Sequence, residues 1–216
     1  MQFENHDHQD HVTPDLISQS RHETNFREYL DWLDRQDDAD PAARQITIIA
    51  RSPRSPVIQA MCALRGSLGS RQVCVQIVLS DVDPEKALRN TWEVISDLSK
   101  DREHGDLIRW ANSQGILEAH EQLVLGQQMC WLGDAMRREP GRRDGFDKFD
   151  IDAPQTCKLS IQSFAAMWKY ASPVPQWMLR EASERRPNAT FAGPDQRALA
   201  TLSFFRQLEK SGTFSH

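Results

Sequence analysis

Two arginines and a serine stand where the chain is expected to pass from a strand into a helix. Arg51 and Arg54 follow the apolar run at residues 46–50, and Ser55 precedes Pro56. Serine is favoured as an N-cap and proline at the first helical position, so a helix should begin here. The free N–H groups and the dipole of a helix N-terminus attract anions. The segment therefore predicts a site for a phosphate-containing ligand, with two solvated loop arginines as the alternative.

His120 marks a second place where side chains could carry chemistry. The alternating run 121–125 follows it, then Gly126-Gln127, then the apolar run 129–132 and Gly133. Two short apolar runs around a glycine-containing break are typical of a β-hairpin, so His120 should enter the first strand. A structural histidine with satisfied hydrogen bonds is the alternative interpretation of this position.

The hairpin resembles the motif of the phospholipase D superfamily, which reads His-x-Lys-x-x-x-x-Asp and is followed by a Gly-Ser-x-Asn-like turn. Here the family's His falls on His120, its Lys on Gln122 and its Asp on Gln127. Of the turn, only Gly133 is matched, and Asp134 stands at the serine position. The position of the nucleophile is kept, whereas the positions of its charged partners are not.

The flanking elements are similar in order to one half of such an enzyme. Two strand-like runs, 46–50 and 73–79, enclose a helix pattern, as in the β-α-β unit that opens a phospholipase D half. Downstream, Phe164 and Trp168 lie at the spacing of the Phe-x-x-x-Trp helix that commonly closes it. The resemblance covers roughly residues 44–172.

The resemblance implies chemistry on phosphodiesters. In the family, one histidine attacks phosphorus, a histidine from a second motif copy protonates the leaving oxygen, and lysines hold the phosphoryl oxygens. His120 would be the nucleophile, and Gln122 would offer only a neutral donor. Loss of one such interaction commonly costs about 3 kcal/mol of transition-state stabilisation. Because both the Lys and the Asp are replaced, the resemblance implies a degenerate site with a vestigial catalytic His120.

Two functional hypotheses follow from this degenerate motif. The first is a domain without catalysis that binds a protein partner or a phosphate-containing ligand. The residues expected to bind that ligand are Arg51, Arg54, Ser55, Gln122 and Asp134. The alternative is a weak homodimeric phosphodiesterase or nuclease in which His120 of each chain meets across a two-fold axis, since the chain has one motif copy. No phosphate-binding loop, nucleophile elbow or His-Glu-x-x-His helix is present, so no cofactor and no metal are expected.

The pattern predicts a single α/β domain with a mixed β-sheet, helices on both faces and extra helices at both ends. The predicted segments are a disordered, His-rich tail at 1–12, a helical segment at 13–43, the α/β domain at 44–172 and C-terminal helices packed on it at 173–216. A receiver-like protein, with Asp81 and Asp83 after a strand, is a second fold hypothesis. The hairpin and the lack of regular βα repeats count against it.

Charge and composition narrow the expected partners. A formal net charge of -5 argues against broad, nonspecific binding to nucleic acid, which needs a basic surface. The arginine-rich segment 137–143 could still lie near His120 as a local basic patch, or it could be a solvated loop. No apolar run is long enough for a membrane span, and a cytoplasmic location is expected. The four cysteines stand singly in apolar patterns and are interpreted as reduced core residues.

Overall fold

A seven-stranded mixed β-sheet forms the centre of the protein. The computed structural model describes residues 14–36, 40–99, 102, 104–111, 119–136 and 147–179. The helices are α1 (Pro14–Leu33), α2 (Pro56–Ala63), α3 (Arg65–Gly69), α4 (Glu85–Leu98), α5 (Pro154–Tyr170) and α6 (Gln176–Leu179). The strands are β1 (Gln45–Ala50), β2 (Cys74–Leu79), β3 (Ile108–Trp110), β4 (His120–Leu125), β5 (Met129–Ala135), β6 (Lys148–Asp150) and β7 (Ser172–Pro173).

The strands follow the order β6-β5-β4-β1-β2-β3-β7 across the sheet. β1, β2 and β3 are parallel, and α2 and α3 connect β1 to β2, so the predicted β-α-β unit is present. All other neighbours are antiparallel, including β4 against β1. The predicted α/β class with a mixed sheet is therefore confirmed.

The central strand β1 is buried from Ile46 onward because helices cover both faces of the sheet. Ile46 and Ile48 point toward α1, α2 and α4, where Phe26 is part of the same core cluster. Ile49 points the other way and packs with Phe164 of α5. This alternation explains why a largely apolar β1, in which Thr47 is the one buried polar residue, is stable at the centre of the sheet.

The helical segment that begins at Pro56 is divided into two short helices. The first, α2, ends at Ala63, and the separate helix α3 begins at Arg65. Leu64 between them has φ -99° and ψ 14°, which is not a helical conformation. Gly66 follows closely, and glycine favours the helical state less than any residue except proline.

The predictions for residues 1–12, for the basic segment up to 146 and for residues 180–216 lie outside the described part of the chain.

The β4–β5 hairpin turns through Gly126, which has φ +62°. Its N–H donates a hydrogen bond to the Gln45 carbonyl oxygen, so the turn closes onto the beginning of β1. A Cβ atom at Gly126 would lie 2.8 Å from the carbonyl oxygen of Ala43. Both the backbone angle and this close approach require glycine at the turn.

Gly126→Ala should lower the free energy of unfolding by about 1–3 kcal/mol, because alanine is strained at this backbone angle and its methyl group would clash with Ala43. Gly66→Ala is the matched control, since a Cβ there would meet nothing within 4 Å. This control should leave stability unchanged or raise it by up to about 1 kcal/mol. Urea unfolding followed by circular dichroism measures both changes, and equal stabilities of the two variants would contradict the described turn.

Candidate functional site

The carboxyl end of β1 brings together most of the residues that the sequence singles out. Gln122 of β4 pairs with Ile49 of β1, so the beginning of β4 lies beside the loop at residues 51–55. His120 and the loop arginines are therefore at the same edge of the sheet. We call this region the His120 edge.

The carboxylate of Glu121 occupies the N-terminus of α2. Its Oε1 accepts a hydrogen bond from the Arg51 N–H at 2.9 Å and another from the Ser55 hydroxyl at 2.7 Å. Glu121 is 6% exposed and Ser55 is 5% exposed. Ser55 is the predicted N-cap residue, and Pro56 is the first residue of the helix. The internal carboxylate thus uses two of the donors that an external anion would need.

The two arginines differ in exposure. Arg51 is half-buried, and its carbonyl oxygen accepts from the Asp81 N–H at 2.7 Å and the Ser80 hydroxyl at 2.9 Å. These bonds fix the loop to the end of β2. Arg54 is exposed, and its side chain makes no hydrogen bond or ion pair with any residue that the structure describes. The predicted anion site stays a prediction, and an incoming phosphate there would also meet the negative charge of Glu121.

The ring of His120 is oriented by the neighbouring strand. Its Nδ1 lies 2.6 Å from the Gly133 carbonyl oxygen, and a carbonyl can only accept, so Nδ1 carries the proton. A neutral ring in this tautomer has its lone pair on Nε2. The side chain is exposed at the edge of the sheet.

A β-bulge lies directly beneath this histidine. His120 pairs with Ala135 and Gln122 with Leu132, so two residues of β5, Gly133 and Asp134, oppose one residue of β4. A Cβ atom at Gly133 would lie 2.4 Å from the Trp131 ring, which explains why a glycine stands here. Asp134, at the family's serine position, is half-buried.

The residue at the position aligned with the family's Lys contacts α5, and the residue at the position aligned with its Asp lies at the far end of β4. Gln122 is 4% exposed, and its Nε2 donates to the Ser160 carbonyl oxygen of α5 at 3.0 Å. Its amide N–H thus holds the helix to the sheet. Gln127 is exposed in the hairpin turn, at the opposite end of β4 from His120.

Two buried thiols lie beside Gln122 at the same helix–sheet contact. The neighbouring Cys157 thiol lowers the pKa of Cys130, and the same interaction raises the pKa of Cys157 above its usual range. Cys130 is 1% exposed and Cys157 is fully buried. Their position in the core agrees with the prediction for these cysteines.

Glu121 is not among the residues predicted from the sequence to form the site. The alternating pattern of β4 does indicate that Glu121 is buried, because Glu121 shares a strand face with Leu123 and Leu125, which are in the core. A carboxylate on a buried face needs donors at the end of the strand.

Within the described ranges, no three His, Cys, Asp or Glu side chains are placed to hold a metal ion. No described helix is both long and apolar enough to span a membrane.

Comparisons with known proteins do not identify a family for this chain. No protein-family model matches the chain, and no curated protein matches it. Among solved structures, the chain is similar to TrmBL2, an archaeal chromatin protein described as showing a novel mode of DNA binding, at 15% sequence identity and a TM-score of 0.38. The match covers 71% of this chain and 51% of TrmBL2, so the chain spans about half the length of that protein.

One expectation from the sequence is corrected by this comparison. The net charge argues against broad binding to nucleic acid, yet TrmBL2, to which the chain is similar, is described as a chromatin protein with a novel mode of DNA binding. A formal charge summed over the whole chain does not describe a local surface, and the expectation is withdrawn. A likeness at this TM-score carries no argument for DNA binding by this chain.

Glu121→Gln should lower the free energy of unfolding by about 1–3 kcal/mol, because it removes the charge from two buried hydrogen bonds at a helix N-terminus. Ser55→Ala should be destabilising as well, and the two losses should not add, since both variants disrupt the same hydrogen bond. Glu93→Gln, the same change on an exposed face of α4, is the control and should change stability by less than about 0.5 kcal/mol. A double-mutant cycle by urea unfolding measures the coupling, and strict additivity would contradict the contact.

Proposed function

We propose that this chain is a phospholipase D-like α/β domain that has lost catalysis and acts by binding a protein partner or a phosphate-containing ligand at the His120 edge. The observation that carries the proposal is the place of Gln122. The family's Lys position is filled by a buried amide that bonds to α5, so no cation stands at this position beside His120.

The charge at the His120 edge also disfavours phosphoryl transfer. The transition state gathers negative charge on the phosphoryl oxygens and is stabilised by fixed cations. Here the carboxylate of Glu121 lies within hydrogen-bonding distance of the Arg51 backbone. A fixed negative charge at the same end of the sheet opposes the developing charge rather than stabilising it.

Binding at this edge would rest on the exposed Arg54, on the half-buried Arg51 and on His120. A surface site of this kind gives weak and salt-sensitive affinity, because exposed charges are screened within about 8–10 Å. A protein partner that covers the edge would exclude water and strengthen the same contacts. The cytoplasmic location expected from the sequence stays a prediction.

A weak homodimeric phosphodiesterase is the second candidate, and the orientation of His120 favours it. The hydrogen bond from Nδ1 to the Gly133 carbonyl directs the nitrogen with the lone pair, Nε2, away from β5. A nucleophilic histidine needs this tautomer. With one motif per chain, a second His120 from a partner subunit would have to act as the acid.

Purified protein should hydrolyse bis(4-nitrophenyl) phosphate, supercoiled DNA and phosphatidylcholine vesicles no faster than its His120→Ala variant. Gln122→Lys, which returns the family's cation, should not restore turnover because residue 122 faces α5. The measurement is initial rate at equal protein concentration. Turnover that disappears in His120→Ala would overturn the proposal, and a dimer by sedimentation velocity under the same conditions would then support the second candidate.

Inorganic phosphate added at low salt should shift the amide NMR signals of residues 51–58 and His120 together if the His120 edge binds anions. The shifts should be weak, should vanish with added salt and should be lost in Arg51→Ala/Arg54→Ala. Glu121→Gln should strengthen binding by several-fold, because it removes a competing negative charge. An absence of shifts in both the native protein and Glu121→Gln would rule out the anionic ligand and leave a protein partner.

A further inference from the structure

A cavity of about 520 Å³ lies between the sheet and α5, away from the His120 edge. We propose that it is a second binding site, and that it takes a small organic anion with an apolar body, such as an aromatic carboxylate. Its size is within the range of about 300–1,000 Å³ that is usual for small-molecule sites. The cavity lies where β1 and β2 begin and beside the hairpin turn at Gly126.

The floor of the cavity carries a buried hydroxyl. Thr47 of β1 is 6% exposed, and its Oγ1 has no hydrogen-bond partner among the residues that the structure describes. Thr47 pairs with Gln76 of β2, which also lines the cavity. A buried hydroxyl favours a partner strongly, so a ligand oxygen or nitrogen over Thr47 would gain a hydrogen bond that the protein does not supply.

Two glutamine amides extend this polar floor. The Gln45 Nε2 donates to the Gln76 Oε1 at 3.2 Å, and the Gln76 Nε2 donates to the Asp106 carbonyl oxygen at 2.9 Å. These bonds fix both side chains in place before any ligand arrives. A preformed polar surface costs little ordering on binding and selects ligands with a hydrogen-bonding edge.

The opposite wall is apolar and held rigidly by α5. Phe164 and Trp168 stack with ring centroids 5.4 Å apart. Ala165, which follows Phe164 in the sequence, also lines the cavity. The guanidinium of Arg109 lies 4.6 Å from the centre of the Trp168 ring and donates to the Trp168 carbonyl oxygen at 2.9 Å. The wall is therefore suited to the flat, apolar body of a ligand rather than to a fully hydrated one.

A cation completes the site at its rim. Arg102 lines the cavity and is exposed, and its guanidinium has no partner within the described part of the chain. A guanidinium recognises carboxylate through paired N–H groups. Inorganic phosphate would satisfy Arg102 alone and would leave the apolar wall uncovered, so the combination selects an anion with an apolar body.

This inference goes beyond the function proposed above and does not depend on it. Thr47 lies in the first half of β1, whereas Arg51 follows the last residue of that strand. Ligands at the two ends contact different residues and are observed through different amide signals. If phosphate does not bind at the His120 edge, the proposal for the cavity is therefore unaffected. If no ligand binds in the cavity, the proposal for the His120 edge is equally unaffected.

The test uses the full chain, 2-naphthoate as the anionic probe and 2-naphthalenemethanol as its uncharged match. 2-Naphthoate should give saturable amide shifts at Gln45, Thr47, Gln76 and residues 164–168. Arg102→Gln should weaken 2-naphthoate by about tenfold and leave 2-naphthalenemethanol unchanged. Thr47→Val, which keeps the side-chain shape, should weaken both probes.

Two phenylalanine variants on α5 provide the matched control. Ala165→Phe should fill the cavity and weaken 2-naphthoate by more than about tenfold. Ala166→Phe places the same ring on the next exposed position of the helix, outside the cavity, and should leave affinity unchanged. The proposal is overturned if 2-naphthoate gives no saturable shifts, if the two phenylalanine variants weaken it equally, or if its shifts are confined to residues 51–58 and His120.

Discussion

The antiparallel pairing of β4 with β1 is the constraint on which the rest of the structure depends. It inserts the hairpin beside the central strand and makes β1 an interior strand, bonded on one side to β2 and on the other to β4. The turn at Gly126 closes this pairing at one end through the Gln45 carbonyl oxygen. Glu121 closes it at the other end, through the Arg51 backbone and Ser55.

The role of Glu121 changes the meaning of the His120 edge. A helix N-terminus beside two arginines is typical of a phosphate site, yet the carboxylate of Glu121 already accepts hydrogen bonds from the Arg51 N–H in the preceding loop and from the N-cap hydroxyl of Ser55. Such an internal anion stabilises the loop and competes with any external one. His120 at the same edge has a fixed orientation, because its Nδ1 lies 2.6 Å from the Gly133 carbonyl oxygen.

The two ends of β1 present different chemistry because different helices cover them. At its carboxyl end, the loop before α2 supplies the Arg51 N–H and the Ser55 hydroxyl to the buried carboxylate of Glu121. At its amino end, α5 crosses the other face of the sheet and leaves an apolar wall over Thr47 and Gln76. Gln122 lies between these regions and joins β4 to α5 through the Ser160 carbonyl oxygen. At the position that the proposed resemblance assigns to a catalytic lysine, this chain has a glutamine that contributes to packing.

The sequence by itself determined the α/β class, the strand at β1, the helix start at Ser55-Pro56 and the hairpin that His120 enters. These depend on local patterns, namely apolar periodicity, capping residues and a glycine at a turn. Only the tertiary structure decided what Glu121 and Gln122 contact, because their partners, Ser55 and Ser160, lie 66 and 38 residues away in the chain. The cavity over Thr47 likewise exists only because α5 returns to the sheet, and no spacing of residues along the sequence encodes which side chains a returning helix will face.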